Sequence, residues 1–226
     1  MALAEAGMRG HGVELQPLNE SHVNSLIEAA SDGNLWELFF TSVPTPDTMG
    51  ETVRRFILER SAGTMQPFAV CHSDTGQAVG VTSLCHIDAA NRRAEIGYTW
   101  YAASQQGTGI NPACKLLLLT RAFDDMGCIA VEFRTHWLNH RSRRAIERLG
   151  AKQDGILRSH MIMSDGTVRD TVVYSIIASE WPPTPTGSRT AMTRYLVRSH
   201  APSCRSPRDR SAADWAICSA PVSWGG

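Results

Sequence analysis

The order of strand and helix patterns between residues 12 and 177 constrains the fold of this chain most strongly. Short apolar and alternating stretches, bounded by glycine, asparagine and aspartate, predict seven strands. Apolar residues spaced three and four apart predict four helices. The predicted strands are residues 12–18, 68–71, 78–87, 93–101, 129–135, 156–163 and 168–177, and the predicted helices are residues 19–30, 48–60, 111–123 and 139–149.

Strands grouped in hairpins and then alternating with helices predict an α/β fold, in which a mixed sheet carries helices on both faces. The chain has 226 residues, which suits one domain with residues to spare. We expect a flexible N-terminus at residues 1–11, a domain at residues 12–181, and a disordered tail at residues 182–226. The tail holds six arginines, two acidic residues and six of the eleven prolines without an apolar period. A frameshifted or fused end without a selected function is the alternative.

Composition excludes several classes of function. The 22 basic and 22 acidic residues balance, which argues against nonspecific nucleic-acid binding. The longest apolar run, residues 116–119, is far too short to cross a bilayer, and the first twelve residues lack a signal-peptide pattern, so we expect a cytoplasmic protein. None of the six cysteines forms a C-x-x-C pair, which predicts reduced thiols and no zinc ribbon.

A glycine-rich loop separates the strand at residues 93–101 from the helix that follows it. Backbone N–H groups at a helix start attract anions, and glycine lets a phosphate approach the backbone closely. The loop is neither a Walker loop nor a dinucleotide fingerprint, because no Gly-Lys-Ser/Thr follows and Pro112 occupies the third glycine position. A turn without a ligand remains the alternative. The residues of the loop are Gln106, Gly107, Thr108, Gly109, Ile110 and Asn111.

Three segments together resemble the GNAT acetyltransferases, and most closely their RimJ/RimL-like branch. They are the strand residues 94–98, the loop at residues 106–111, and residues 139–151, which read NHRSRRAIERLGA. The resemblance covers residues 12–181 and implies an acetyl-CoA-dependent N-acetyltransferase. It also implies a mixed, mostly antiparallel sheet with a splayed pair of central strands. One departure is Asn111, which stands where the family loop has a small residue.

The resemblance also implies where acetyl-CoA binds. Its pyrophosphate would lie on the loop, and its pantetheine arm would lie against backbone groups of Tyr98, Trp100 and Tyr101. Plain aromatic core packing is the alternative for Trp100 and Tyr101. Asn139 would bond the pantetheine with its amide while its side-chain oxygen caps the following helix.

Amide formation from a thioester needs a neutral amine, donors for the developing oxyanion, and a proton for the departing thiolate. By resemblance, Glu95 is the candidate general base, directly or through water, and an ion-paired strand carboxylate is the alternative. The helix tyrosine that many relatives use as an acid is replaced by Ile146. Ser142 matches the serine of the RimJ/RimL-like branch, so we expect it to assist the thiolate; a serine that only satisfies backbone groups is the alternative.

The prediction is therefore an N-acetyltransferase that moves acetyl from acetyl-CoA to a protein N-terminus or a small-molecule amine in a ternary complex, without a metal, nucleic-acid or membrane partner. A noncatalytic acyl-CoA-binding sensor of the same fold is the alternative, which Ile146 favours. If Glu95 were structural, a water held by His86 or bulk solvent would have to take the proton. The acceptor and the oligomeric state do not follow from the sequence.

Overall fold

A computed structural model describes residues 6–38, 43–163, 165–182, 189–190, 192–194 and 196. It contains eight strands in a single sheet with the order β1-β2-β3-β4-β5-β6-β8-β7. The strands are β1 (Met8–Gly10), β2 (Val13–Pro17), β3 (Gln66–His72), β4 (Ala78–Asp88), β5 (Arg93–Tyr101), β6 (Ala130–His136), β7 (Lys152–Ile162) and β8 (Val168–Ile177). The α-helices are α1 (Val23–Ser31), α2 (Met49–Ser61), α3 (Ile110–Thr120) and α4 (His140–Arg148).

All neighbouring strands are antiparallel except β5 and β6. Helices α3 and α4 pack on one face, in a core that spans both halves of the sheet. Helices α1 and α2 pack on the other face, in a core built only from residues up to 103. The predicted mixed and mostly antiparallel α/β fold is confirmed.

Local sequence explains several boundaries. Asn19 accepts a hydrogen bond from the Ser21 backbone and caps a short 3-10 helix that leads into α1. Gly109, with φ 95°, occupies the N-cap position of α3, a left-handed conformation that glycine adopts without a steric penalty. Asn139 caps α4 by accepting from the Ser142 backbone N–H at 2.9 Å.

Two expectations about the ends of the domain need correction. Met8–Gly10, expected to be flexible, pairs with β2 as an edge strand; it is too short to show alternation. In the expected tail, Met192 and Leu196 are each 1% exposed and belong to the same core as α3 and α4. Arg189 also forms an ion pair with Asp124. Burial of these two apolar side chains offsets the conformational entropy lost when they are ordered. Residues 183–188 and 197–226 of the expected tail lie outside the described residues.

The four described cysteines are free and buried. No helix among the described residues is long and apolar enough to cross a membrane.

Candidate active site

The parallel strands β5 and β6 separate after only three residue pairs. Arg93, Ala94 and Glu95 pair with residues 130–132, and no β6 partner continues the ladder on β5. Strand β6 instead remains paired with β8 as far as His136. Residues 96–101 therefore turn one backbone edge toward an open split, whose unpaired N–H and C=O groups are available to a ligand lying along the strand.

A backbone irregularity marks the split. The pairing of β4 with β5 shifts register between Val81 and Ser83, opposite Tyr98. Tyr98 has φ 49°, an unusual conformation for an aromatic residue. Such bulges bend a strand and increase its twist, which moves β5 away from β6.

The loop after β5 has the geometry of an anion site. Gly107 and Gly109 have φ values of 81° and 95°, and a Cβ on Gly107 would meet nothing within 4 Å, so this side of the loop is open. The first N–H groups of α3 lack intrahelical acceptors and lie at the positive end of the helix. The geometry therefore fits the phosphates of a nucleotide cofactor, as the loop sequence predicts.

Side chains fasten this loop to its surroundings. Gln106 donates from Nε2 to the Tyr101 carbonyl at 3.0 Å, and its Oε1 accepts a hydrogen bond from Arg141 in the first turn of α4. Thr108 donates to the Gln105 carbonyl at 2.7 Å. Arg141 thus places a guanidinium beside the loop, where it adds positive charge at the end of the split.

The three aromatic residues of β5 occupy different environments. Tyr98 is 42% exposed and meets the Phe56 ring edge-on at 5.1 Å, on the α1 and α2 face. Trp100 is half-buried on the same face. Tyr101 is buried on the opposite face and donates to Asn111 Oδ1 at 3.2 Å, which ties β5 to the start of α3. Burial raises the pKa of the Tyr101 phenol well above its ordinary value.

Helix α4 begins beside the split with the Asn139 cap. The cap uses Oδ1, which leaves the Nδ2 hydrogens available. Ser142 is half-buried in the first turn, and among the described residues its hydroxyl has no hydrogen-bond partner. Ile146 is 8% exposed and packs in the core, so the position of the missing tyrosine contributes to packing.

Glu95 lies where the two strands part, and its carboxylate is nearly buried. Its Oε2 lies 2.9 Å from His86 Nδ1 and 3.3 Å from Arg134 Nε. Arg134 belongs to β6 and therefore bridges the split. A Cβ on Gly97 would approach Glu95 Oε1 to 3.2 Å and Cys85 Sγ to 2.9 Å, so glycine leaves the space that this carboxylate occupies.

A second carboxylate completes the charge network. Glu132 accepts from Arg93 and, at 3.1 Å, from Arg134. Burial would raise the pKa of Glu132, but hydrogen bonds from the two arginines outweigh it and lower the pKa. Glu132 therefore fixes Arg134, which in turn holds Glu95.

Donor atoms of Cys85, His86 and Glu95 lie within 4.8 Å of one another, a spacing that a metal ion could bridge. Two features oppose that use. The Arg134 guanidinium already contacts the same carboxylate and would repel a cation. Burial, followed by the charge of Glu95, raises the pKa of the Cys85 thiol, which disfavours the thiolate that metals bind. The arrangement suits the handling of a proton better than metal binding.

Three functional candidates escaped the sequence prediction, namely Arg134, Lys115 and the contact of His86 with Glu95. Lys115 is 6% exposed, and its Nζ donates to Thr99 Oγ1 at 2.7 Å and to Thr82 Oγ1 at 3.4 Å, beside the irregularity in β5. Burial lowers the pKa of Lys115 to about 8. A lysine inside the apolar run of α3 was the available signal. Arg134 and the contact of His86 with Glu95 gave none, because the partners lie on different strands.

Comparison with known proteins agrees with the fold. Residues 13–152 match the family model described as an acetyltransferase (GNAT) domain, and the chain belongs to this family. It is an acetyl-CoA-dependent N-acetyltransferase.

The chain is 31% identical over 153 residues to YdaF of Bacillus subtilis (strain 168), which carries the name of a ribosomal N-acetyltransferase; the match covers 65% of this chain and 78% of YdaF. A GCN5-related N-acetyltransferase from Brucella melitensis superposes with a TM-score of 0.74 at 27% identity, covering 93% of this chain and 90% of the other. Mycobacterium smegmatis RimJ, in complex with CoA-disulfide, shares the fold with a TM-score of 0.70 at 21% identity, covering 84% and 93%.

Proposed function

We propose that this enzyme transfers acetyl from acetyl-CoA to a primary amine, either a protein N-terminus or a small-molecule amine, by direct attack in a ternary complex. The observation that carries the proposal is the continuity of the anion loop, the open edge of β5 and the Glu95 carboxylate along a single strand. The loop begins five residues after β5 ends, and Glu95 lies at the other end of the split. One elongated cosubstrate can therefore extend from the loop along the open edge of β5 to Glu95.

Binding of acetyl-CoA would fall to the loop, the open edge of β5 and the start of α4. The N–H groups of the loop would hold the pyrophosphate, with the Arg141 guanidinium close by. The free backbone edge of β5, at Tyr98, Trp100 and Tyr101, would bond the pantetheine arm as an added strand. Asn139 would donate to the same arm from Nδ2.

Chemistry would take place near Glu95. The neutral amine attacks the thioester carbonyl, a C–N bond forms, the C–S bond breaks, and the amine gives up its proton beside Glu95. A backbone N–H of β5, at Trp100 or its neighbour, would stabilise the oxyanion. The Ser142 hydroxyl would donate a hydrogen bond to the departing thiolate, which finally takes a proton from solvent.

Protein N-termini are the first acceptors to test, because YdaF carries the name of a ribosomal N-acetyltransferase. Release of free thiol from acetyl-CoA should be measured with peptides that begin with Ser or Ala, an aminoglycoside and a basic peptide antibiotic. We expect amine-dependent release with at least one acceptor and a matching mass increase of 42 Da, roughly that of one acetyl group. Tight binding of acetyl-CoA without turnover on an extended amine panel would instead support the acyl-CoA-binding sensor.

A further inference from the structure

His86 is held toward Glu95 by its backbone. In a regular strand, successive side chains point to opposite faces, so His86 should point away from the face of Cys85. Cys85 is the cross-strand partner of Glu95, and the register shifts just after it. His86 has φ 47°, and this left-handed conformation brings its ring to the Glu95 carboxylate, 2.9 Å away. Such strain in a non-glycine residue persists only where the surroundings enforce it.

The contact also assigns the protons of the ring. An ionised carboxylate only accepts hydrogen bonds, so Nδ1 of His86 carries the hydrogen that points to Glu95 Oε2. In the neutral ring the lone pair then resides on Nε2. The His86 side chain is 65% exposed, whereas that of Glu95 is 10% exposed. The ring therefore places a basic nitrogen in the open, while the carboxylate lies behind it.

Glu95 is poorly placed to take a proton itself. Oε2 already faces His86 and the Arg134 guanidinium, and Oε1 lies over Gly97 next to Cys85. An imidazole is also better matched than a carboxylate to proton transfer near neutral pH.

We propose that His86 is a catalytic residue, which accepts the proton of the attacking amine on Nε2 while Glu95 orients its ring and stabilises the imidazolium. The inference rests on the proposed function and deepens it. As the C–N bond forms, the N–H bonding pair stays on the nitrogen and the proton moves to Nε2. The imidazolium later releases this proton to solvent. Arg134 and Glu132 act as positioning residues for the carboxylate.

Imidazole rescue tests the proposal. In His86→Gly, glycine accepts the positive φ without strain and leaves an open space at an exposed site. We expect kcat to fall by about 10²-fold to 10⁴-fold, with little change in the KM for acetyl-CoA. Added imidazole should raise the kcat of this variant by at least roughly 10-fold. His86→Gln should lose as much without rescue. Full activity in either variant, or a loss in His86→Gly that imidazole never restores, would overturn the proposal.

Two controls separate His86 from its surroundings. His11 is also exposed with a positive φ of 54°, in the turn between β1 and β2, so His11→Gly should leave kcat unchanged. Glu95→Gln should lower kcat by about 10²-fold to 10⁴-fold without imidazole rescue. The kcat of the double variant His86→Gly/Glu95→Gln should be roughly that of the less active single variant. Multiplicative losses would show that the two residues act separately.

The acidic limb of the kcat profile should disappear in His86→Gln. The charged groups near the pair are Arg93 on β5, Arg134 and Glu132 on β6, Arg169 on β8, Glu59 on α2 and Lys115 on α3. These six groups are unchanged in His86→Gln, so any effect that they have on the pH profile of kcat should persist in that variant. An acidic limb unchanged in the variant would assign it to one of these groups and contradict the proposal.

Nitrogen NMR of [15N]histidine protein reports the same assignment without turnover. We expect neutral His86 to carry its hydrogen on Nδ1 and Glu95→Gln to weaken that preference. An Nε2-protonated ring in the wild-type protein would overturn the role of His86 even if acetyl transfer were observed. Conversely, an Nδ1-protonated ring in a protein without amine acetylation would point to a failure of the proposed function alone.

Discussion

The two ends of the split between β5 and β6 are built from different groups. At the loop end, backbone N–H groups and two glycines with positive φ form the site, and side chains such as Gln106 only fasten it. At the other end, the site consists of side chains from three strands: His86 of β4, Glu95 of β5 and Arg134 of β6. Under the proposed function, binding would rest mainly on one contiguous segment, the end of β5 and its loop, whereas chemistry would depend on the register between strands.

The difference predicts how each end fails. A change in the loop should abolish cosubstrate binding and leave the charge network intact. A change at the network should spare binding and slow the chemical step. A variant at one end that impairs both cosubstrate binding and the chemical step would show that the two ends are coupled.

The largest effect is expected for Gly109→Asp, which adds bulk and negative charge where the pyrophosphate would lie. Acetyl-CoA should no longer raise the melting temperature of the variant. Gly109→Asn is the matched control, since asparagine has a similar shape, tolerates a left-handed φ and lacks the charge, so it should lose less affinity. An unchanged thermal shift in Gly109→Asp would remove the loop from the binding site.

Met192→Ala tests whether the C-terminal segment supports the loop end. Met192 lines a shallow cavity between α3 and α4 with Asn111, Pro112 and Leu149, and it is 1% exposed. Loss of a buried methionine costs about 2 to 5 kcal/mol, so urea should unfold the variant earlier. Thr193→Ala, at an exposed neighbouring position, is the control. Equal stability of the two variants would show that Met192 does not contribute to the core, and the domain would then end at residue 181.

Ser142→Ala addresses the departing thiolate. The backbone N–H of residue 142 still bonds Asn139, so α4 keeps its cap. A lost hydrogen bond to a charged group is worth about 1.5 to 3 kcal/mol, so kcat should fall roughly 10-fold to 200-fold. The KM for acetyl-CoA should change little. A wild-type kcat in Ser142→Ala would show that the serine hydroxyl does not assist the departing thiolate.

Lys115→Met should change how stability depends on pH. Burial lowers the pKa of Lys115 from 10.5 to about 8. Between these values the unfolded chain holds a proton that the folded chain has released, so this lysine makes the free energy of unfolding rise with pH, by up to about 3 kcal/mol. Methionine abolishes that rise, and the Thr82 and Thr99 hydroxyls, 2.8 Å apart, still bond each other.

Denaturant midpoints from about pH 7 to pH 10.5 would measure the difference between Lys115→Met and the wild-type protein. Lys152→Met is the control, because its side chain is 77% exposed. Parallel stability curves for the wild-type protein and Lys115→Met would mean that Lys115 is not buried as a cation.

The same division explains what could be predicted from the sequence. The bounds of β5, residues 93–101, were predicted correctly, and the mixed sheet with helices on both faces follows from the element order. The loop and the Asn139 cap are local signals, since a few neighbouring residues determine them. The roles of the loop residues, Glu95 and Ser142 remain predictions.

Nonlocal features were not predictable in this way. The pairing of His86 with Glu95 depends on a register shift that no residue type announces, and Arg134 meets Glu95 only because β6 leaves β5 after three pairs. Strand β1 has three residues and therefore no period to detect. Burial of Met192 and Leu196 was missed because the surrounding composition is polar and rich in proline.

The short parallel pairing has a mechanical consequence. Three residue pairs join the antiparallel strands β1 to β5 to the antiparallel strands β6 to β8. The α1 and α2 face adds no packing across this seam, since its core contains only residues up to 103. Core packing across the seam therefore comes from the α3 and α4 face alone. A ligand that lies in the split supplies the missing ladder and stiffens the joint, so amide hydrogens of residues 96–101 should exchange more slowly with solvent in the bound enzyme.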